Sequence, residues 1–211
     1  WPDPEGHAYR KTFPTQGFQG RPTLVVDGET ACDAHCRIMM PEAPQTKLIA
    51  IRSAKETTLA EAALGTPLSV LLDELGLGIE KAALLGGALG RFISAREMEE
   101  LQVGFGRLFD GMRLYANADC MAAACSRLMR DVREQSCGKC VMCREGSYHL
   151  DLIFGSVTEG KAKREDISLA EDIAPLIAEG SLCGFGKGMP GPAISALALH
   201  RGEIEAHVLK K

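Results

Sequence analysis

The chain has 211 residues, 24 Lys+Arg against 28 Asp+Glu for a net charge of −4, and 45% apolar residues. At roughly 100–200 residues per domain it is one domain or two small ones, with enough core to fold without disulfides. The charge balance argues against nucleic acid or an anionic membrane as main partner, since both select dense positive patches. No apolar run approaches the ~20 residues that span a bilayer, and the eight cysteines fall well short of the roughly 8–10% of a disulfide scaffold. The acidic start, Trp1-Pro2-Asp3-Pro4-Glu5, shows no signal peptide and no initiator Met, so the chain reads as processed, cleaved or partial.

Residues 1–45 hold six of the ten prolines and are predicted to be loop-rich. Within them Thr23-Leu24-Val25-Val26 reads as a short strand ended by the Asp27-Gly28 turn, and Glu29 to Met40 as a short helix. Leu48-Ile49-Ala50-Ile51 predicts a strand, with Thr57 to Ala62 as its hairpin partner. Pro67 to Gly76 predicts a helix: proline in the first turn, an apolar stripe of Leu68, Leu71, Leu72 and Leu75, and a glycine stop. Ala82-Ala83-Leu84-Leu85 reads as another strand, running into Gly86-Gly87-Ala88-Leu89-Gly90. Strand, strand, helix, strand predicts a small α+β unit with one helix on a mixed sheet. The remainder is predicted helical. Met121, Ala124, Cys125, Leu128 and Val132 share one helical face, and a second helix runs from about Met142 to Val157. A third starts at Ser168 with a capping box to Glu171 and an apolar face of Leu169, Ile173, Leu176 and Ile177; a fourth follows Pro192 and ends near Leu209. Four helices with short connections predict a bundle.

Cys137-Gly-Lys-Cys140-Val-Met-Cys143 places three cysteines at two-residue spacing, with Cys183 forty positions on in Ser181-Leu182-Cys183-Gly184-Phe185-Gly186. A tight loop can wrap three corners of a [4Fe–4S] cube and leaves the fourth to a remote thiolate. Zinc, which usually recruits two separated C-x2-C pairs, and a thiol–disulfide site, which wants no third neighbour, are the alternatives. Gly138, Gly184, Gly186 and Gly188 would let the backbone approach a cluster. Lys139, Arg144 and Lys187 either offset its negative charge or are solvated surface. Cys32, Cys36, Cys120 and Cys125 read as small buried hydrophobes rather than a second ligand set, and His35 as structural or surface.

Ser136-Cys137-Gly138-Lys139-Cys140-x-x-Cys143-Arg144-Glu145-Gly146, Ser181-Leu182-Cys183-Gly184-x-Gly186 and Pro190-x-Pro192 closely resemble the NADH-binding flavoprotein subunit of respiratory complex I. The same module appears in related hydrogenases, formate dehydrogenases and electron-bifurcating enzymes. The resemblance extends upstream. Thr46-Lys47-Leu48 through Leu64-Gly65-Thr66-Pro67-Leu68 is similar to that family's β-grasp (SLBB) domain, and Gly86 to Gly90 to its glycine turn. Phe13-Pro14-x-x-Gly17-x-x-Gly20-Arg21-Pro22-Thr23 with Glu29-Thr30 is similar to the end of its flavin domain. It implies a small SLBB-like domain followed by a C-terminal four-helix bundle carrying an iron–sulfur cluster. The divisions are 1–45 (flavin-domain remnant), 46–116 (SLBB-like) and 117–211 (helical, cluster-binding). It also implies Cys137, Cys140, Cys143 and Cys183 as cluster ligands.

The departures matter as much. The family's phosphate-cradling Arg-Gly-Gly loop has no counterpart here; Val26-Asp27-Gly28 stands where two Asn usually line the flavin, putting an acid there; and Gln135 replaces a usual Glu. Together they imply that FMN and NAD are not bound by this chain. The expectation is a non-catalytic electron-relay subunit with one [4Fe–4S] cluster. Its partners would be other redox subunits: a flavoprotein, a two-iron thioredoxin-like or a ferredoxin-like subunit. It would lie in the cytoplasm or on the cytoplasmic face of a membrane complex, where thiols stay reduced. The alternatives are an FMN-dependent NADH dehydrogenase subunit whose flavin domain lies outside this chain, and a structural docking subunit.

Overall fold

The computed structural model describes residues 17–24, 26, 28–104 and 106–208. The expectations for Val25 and Asp27, and those for residues 1–16, lie outside them. Among the described residues, the first regular helix is α1 (Gly28–Met39), as expected. The strand predicted just before it is absent at Thr23, Leu24 and Val26. Leu24 and Val26 are largely exposed there, so the apolar run has no sheet to join. Helix α1 buries none of its own residues. It is pinned at one end: the Glu29 carboxylate accepts from the Leu48 amide at 2.9 Å and from Lys47 Nζ at 2.8 Å. Lys47 also reaches Asp110 at 2.7 Å. Burial opposes the Lys47 charge, but the two carboxylates outweigh it and raise its pKa.

The sheet has five strands in the order β2-β1-β5-β3-β4. β1 (Thr46–Arg52) and β2 (Thr57–Ala63) form the expected antiparallel hairpin, with Ala50 opposite Leu59. β3 (Ala82–Leu85) is buried at every position, because it lies between β5 (Gly111–Tyr115) and β4 (Arg91–Ser94) with both faces covered. β1 and β5 run parallel and the other pairs antiparallel. β4 and β5 escaped the sequence reading: each is short, and each begins at or directly after a glycine. So did a helix, α3 (Ala95–Glu100), whose Ser94 cap accepts from the Glu97 amide.

Strand alternation divides the core. Ala83, Leu85, Ile93, Met112 and Leu114 face one way, joining Leu68, Leu71 and Leu72 of α2 (Leu68–Glu74) and Met98 of α3. Ala82, Leu84, Phe92 and Tyr115 face the other way, into a cluster built with the C-terminal helices. Those are α4 (Met121–Gln135), α5 (Val141–Thr158), α6 (Arg164–Gly180), the short α7 (Gly184–Gly188) and α8 (Gly191–Ala206). α4 packs on α5 and α8, and α6 packs on α5 and α8. The predicted face of α4 is buried throughout. α6 starts four residues before the predicted Ser168, where the Asp166 carboxylate accepts from the Lys163 amide at 2.7 Å. The buried stripe of α6 is Ile167, Ala170, Ala174 and Ile177, whereas the expected Leu169 and Leu176 are exposed.

Glycines set the closest approaches. A Cβ on Gly146 of α5 would meet Ile177 of α6 at 2.4 Å, and one on Gly191 would meet the Gly90 carbonyl at 2.3 Å, where α8 abuts the glycine turn. Gly202, on the same helix, has open space around it. Gly191→Ala is therefore expected to destabilise by about 1–3 kcal/mol through a forced backbone shift. Gly202→Ala should instead stabilise by up to about 1 kcal/mol from helix propensity. Urea unfolding midpoints read both, and equal midpoints for the two variants would contradict the packing described.

Candidate metal centre

The turn between α4 and α5 carries Cys137 and Cys140, and the first turn of α5 carries Cys143. Cys140 is the N-cap of α5, and Cys183 the N-cap of α7. At a helix start the amides lack intrahelical partners and the dipole is positive, so the 18-residue α5 favours a thiolate at Cys140. Cys143 is buried, whereas Cys137 and Cys183 are exposed and Cys140 is partly covered.

The two cysteine segments touch. The backbone amides of Leu182 and Cys143 lower the Cys140 pKa below the usual thiol value, against partial burial and the nearby Cys137. Cys143 moves the other way. Burial pushes its thiol up, and the neighbouring Cys140, Cys183 and Cys137 sulfurs add to the rise against the hydrogen bond from Ser136. All three other cysteines of the predicted set thus lie within electrostatic reach of Cys143. Among the described residues, no three His, Cys, Asp or Glu side chains are grouped as ligands of one metal ion. A single zinc would draw four sulfurs to within roughly 4 Å of one another, whereas a cube gives each thiolate its own iron.

The surroundings suit a sulfur-rich guest. Ser136 Oγ lies 3.4 Å from Cys143 Sγ and accepts from the Gly138 amide at 3.3 Å. Gly138 holds the turn at φ +69°, and Arg144 folds back to donate to its carbonyl at 3.0 Å. A Cβ on Gly186 would sit 2.7 Å from Ser181 Cβ and 3.2 Å from Cys143 Cβ, so only glycine lets α7 approach there. Ser181 is buried, and its hydroxyl has no hydrogen-bond partner among the described residues. Gly188 serves a different contact, against Leu89 of the glycine turn, and open space surrounds the Cα of Gly184. Lys139 and Lys187 are exposed.

Sequence reasoning missed Ser136, Ser181 and the Leu182 amide, because a serine or a backbone donor has no spacing signature. It also missed a brace between the helices that flank the loop. The buried Asp151 of α5 accepts from Arg133 of α4 at 2.6 Å, and the Arg133 guanidinium lies 4.8 Å from the centre of the Tyr148 ring. Both arginine and tyrosine line an open cleft of about 330 Å³ beside the loop, with Ser136, Gly138 and Arg144.

The remaining cysteines divide. Cys125 is fully buried in the helical core, as expected of a small hydrophobe, and burial pushes its thiol far up. Cys120 caps α4, packs on the same core and lies 3.3 Å from His207 Nε2. Cys32 and Cys36 are not buried. They lie one turn apart on α1 with His35 exposed between them, because that helix presses no face on the described core.

Comparison with known proteins follows the same residues. Residues 123–207 match the family described as the NADH-ubiquinone oxidoreductase-F iron-sulfur binding region. The NADP-reducing hydrogenase subunit HndC of Solidesulfovibrio fructosivorans is 27% identical over 93% of this chain and 45% of its own length. The NADH-quinone oxidoreductase F subunit of Mycobacterium bovis is 34% identical over 46% of this chain and 22% of its own length. The chain thus spans under half the length of these curated relatives. The fold is shared with a chain of the crystal structure of NAD+-reducing [NiFe]-hydrogenase in the H2-reduced state, at a TM-score of 0.70 and 22% identity, over 82% of this chain and 31% of that one. Residues 123–207 thus match the NADH-ubiquinone oxidoreductase-F iron–sulfur binding region, and the chain is similar to NADH-quinone oxidoreductase F subunits and to NAD(P)-reducing hydrogenase subunits.

Proposed function

We propose that this chain is an electron-transfer subunit that holds one [4Fe–4S] cluster on Cys137, Cys140, Cys143 and Cys183 and relays electrons between neighbouring redox subunits of a larger oxidoreductase. The observation that carries the reading is the meeting of the two cysteine segments at Gly186, where an added Cβ would lie 2.7 Å from Ser181 Cβ and 3.2 Å from Cys143 Cβ. Three cysteines crowded onto one tight loop favour a cube, which gives each thiolate its own iron, over a single zinc. In this reading residues 46–116 are an SLBB-like β-grasp domain, 117–211 a four-helix bundle that seats the cluster, and 1–45 the end of a flavin domain.

When bound, such a cluster takes up and returns single electrons. The chain's own part is to hold and tune it. The start of α5 and the Leu182 amide stabilise thiolate over thiol at Cys140. The Arg133–Asp151 brace fixes the two helices on either side of the loop. The buried face of Cys143 keeps water from one corner, and the exposed Cys137 and Cys183 leave another side open toward a partner. A flavoprotein, a two-iron thioredoxin-like or a ferredoxin-like subunit would supply the neighbouring carriers. In this reading FMN and NAD are bound outside the given residues, among which no Arg-Gly-Gly phosphate loop occurs. No helix among the described residues is long and apolar enough to cross a membrane. A peripheral place on the cytoplasmic side of a complex fits this reading.

A second reading has an observation of its own. The chain spans 45% of the hydrogenase subunit HndC, so a flavin domain outside these residues would make the whole an NADH-oxidising flavoenzyme subunit. Released flavin, or NADH-dependent dye reduction by the native protein, selects that reading.

Anaerobically purified chain is expected to be brown and to give the EPR signal of a reduced four-iron cluster. Cys183→Ala should keep the fold by circular dichroism yet lose that signal or convert it to a three-iron form. A full four-iron spectrum in Cys183→Ala would show that the fourth ligand is misassigned. In the cluster-free chain, Cys140 should be alkylated by iodoacetamide at lower pH than Cys143. Thiolate forms as pH rises through the pKa, which is lowered at Cys140 by the Leu182 amide and raised at Cys143 by burial. Peptide mass mapping across a pH series reads the order, and earlier labelling of Cys143 would contradict the assignment.

A further inference from the structure

We propose that the hydroxyl of Ser181 donates a hydrogen bond to a sulfur of the bound cluster at the corner held by Cys143, and so raises its reduction potential. The inference rests on the four-cysteine reading above and adds a positioning residue to it. Ser181 is 3% exposed, and among the described residues its Oγ has neither donor nor acceptor. Buried hydroxyls are rarely left in that state, and the exceptions call for a partner that the protein atoms alone do not supply.

The surroundings of Ser181 say where that partner lies. The place of the missing Gly186 Cβ is 2.8 Å from Ser181 Oγ and 3.2 Å from Cys143 Cβ, so hydroxyl and cysteine flank the same point. The next amide in the chain, Leu182, lowers the pKa of Cys140, and the residue after it is Cys183. Ser181, Leu182 and Cys183 thus present a hydroxyl, an amide and a thiol in succession to the Cys137–Cys143 loop. Ser136 approaches Cys143 Sγ at 3.4 Å. Because Ser136 Oγ accepts from the Gly138 amide, its own proton is available to the sulfur. Two serines from separate segments therefore serve one corner. Donors to cluster or cysteine sulfur stabilise the more negative, reduced state, and hydrogen bonds to the sulfurs are among the determinants of cluster potential.

The test is an EPR-monitored redox titration of the reconstituted chain, its Ser181→Ala variant and its Ser181→Thr variant, with iron counted in each. Expected is a full iron complement in Ser181→Ala with a midpoint shifted to more negative potential, and the wild-type midpoint in Ser181→Thr, which keeps the hydroxyl. An unshifted midpoint in a fully loaded Ser181→Ala would overturn the proposal and leave the ligand assignment standing. If Ser181→Ala fails to load, a loaded Ser181→Thr at the wild-type midpoint supports the hydroxyl's role, and failure of both shows a steric contact and overturns it. A wild-type chain without a four-iron signal overturns the ligand reading first and this inference with it.

Discussion

The arrangement of the site depends on one contact: the segment from Ser181 into α7 lying against the Cys137–Cys143 loop, so close at Gly186 that a Cβ there would meet Ser181 and Cys143. Three cysteines on one loop are a local feature that spacing alone enforces. The fourth is forty positions away, and its arrival is a tertiary event. α6 must leave α5 and return so that its end, at Gly180, meets the start of α5. Gly180 is itself part of that return, for a Cβ there would meet Met142 Cγ at 2.9 Å.

Small residues make that approach possible, and polar ones give it chemical meaning. Gly146 lets α6 settle on α5 through Ile177, and Gly186 lets α7 close on Cys143 and Ser181. Around the sulfurs stand a helix start and the Ser136 hydroxyl, with the buried Ser181 hydroxyl close by at Gly186. A purely structural turn has no need of converging donors, and a buried hydroxyl without a partner would be a net cost to it. Four electron-rich sulfurs, and the inorganic sulfides of a cube, are the acceptors that such a set suits. The homology to F subunits and hydrogenase subunits points the same way.

What could be read from the sequence divides along the same line. The β1–β2 hairpin, α2 and the buried stripe of α4 follow from local periodicity, because each repeats one pattern over seven residues or more. β4, β5 and α3 are four to six residues long and owe their existence to neighbours, as β5 does in bridging β1 and β3. α6 starts at Arg164 and not at Ser168, although Ser168 and Glu171 mimic a capping box; at the actual start the Asp166 carboxylate accepts from the Lys163 amide. The proximity of Cys183 to the Cys137–Cys143 loop is a tertiary fact that spacing alone does not carry. Ser136, Ser181 and the Arg133–Asp151 brace were not legible either, since hydroxyls and ion pairs carry no period and are defined only by the groups the fold brings to them.

The central claim is that four sulfurs from two distant segments surround one inorganic cube. Anomalous diffraction at the iron edge, from crystals of the anaerobically prepared chain, tests it most directly. The account expects four iron sites in a compact group, bounded by the sulfurs of Cys137, Cys140, Cys143 and Cys183. A single zinc peak, or iron bounded by any other set of cysteines, would contradict it.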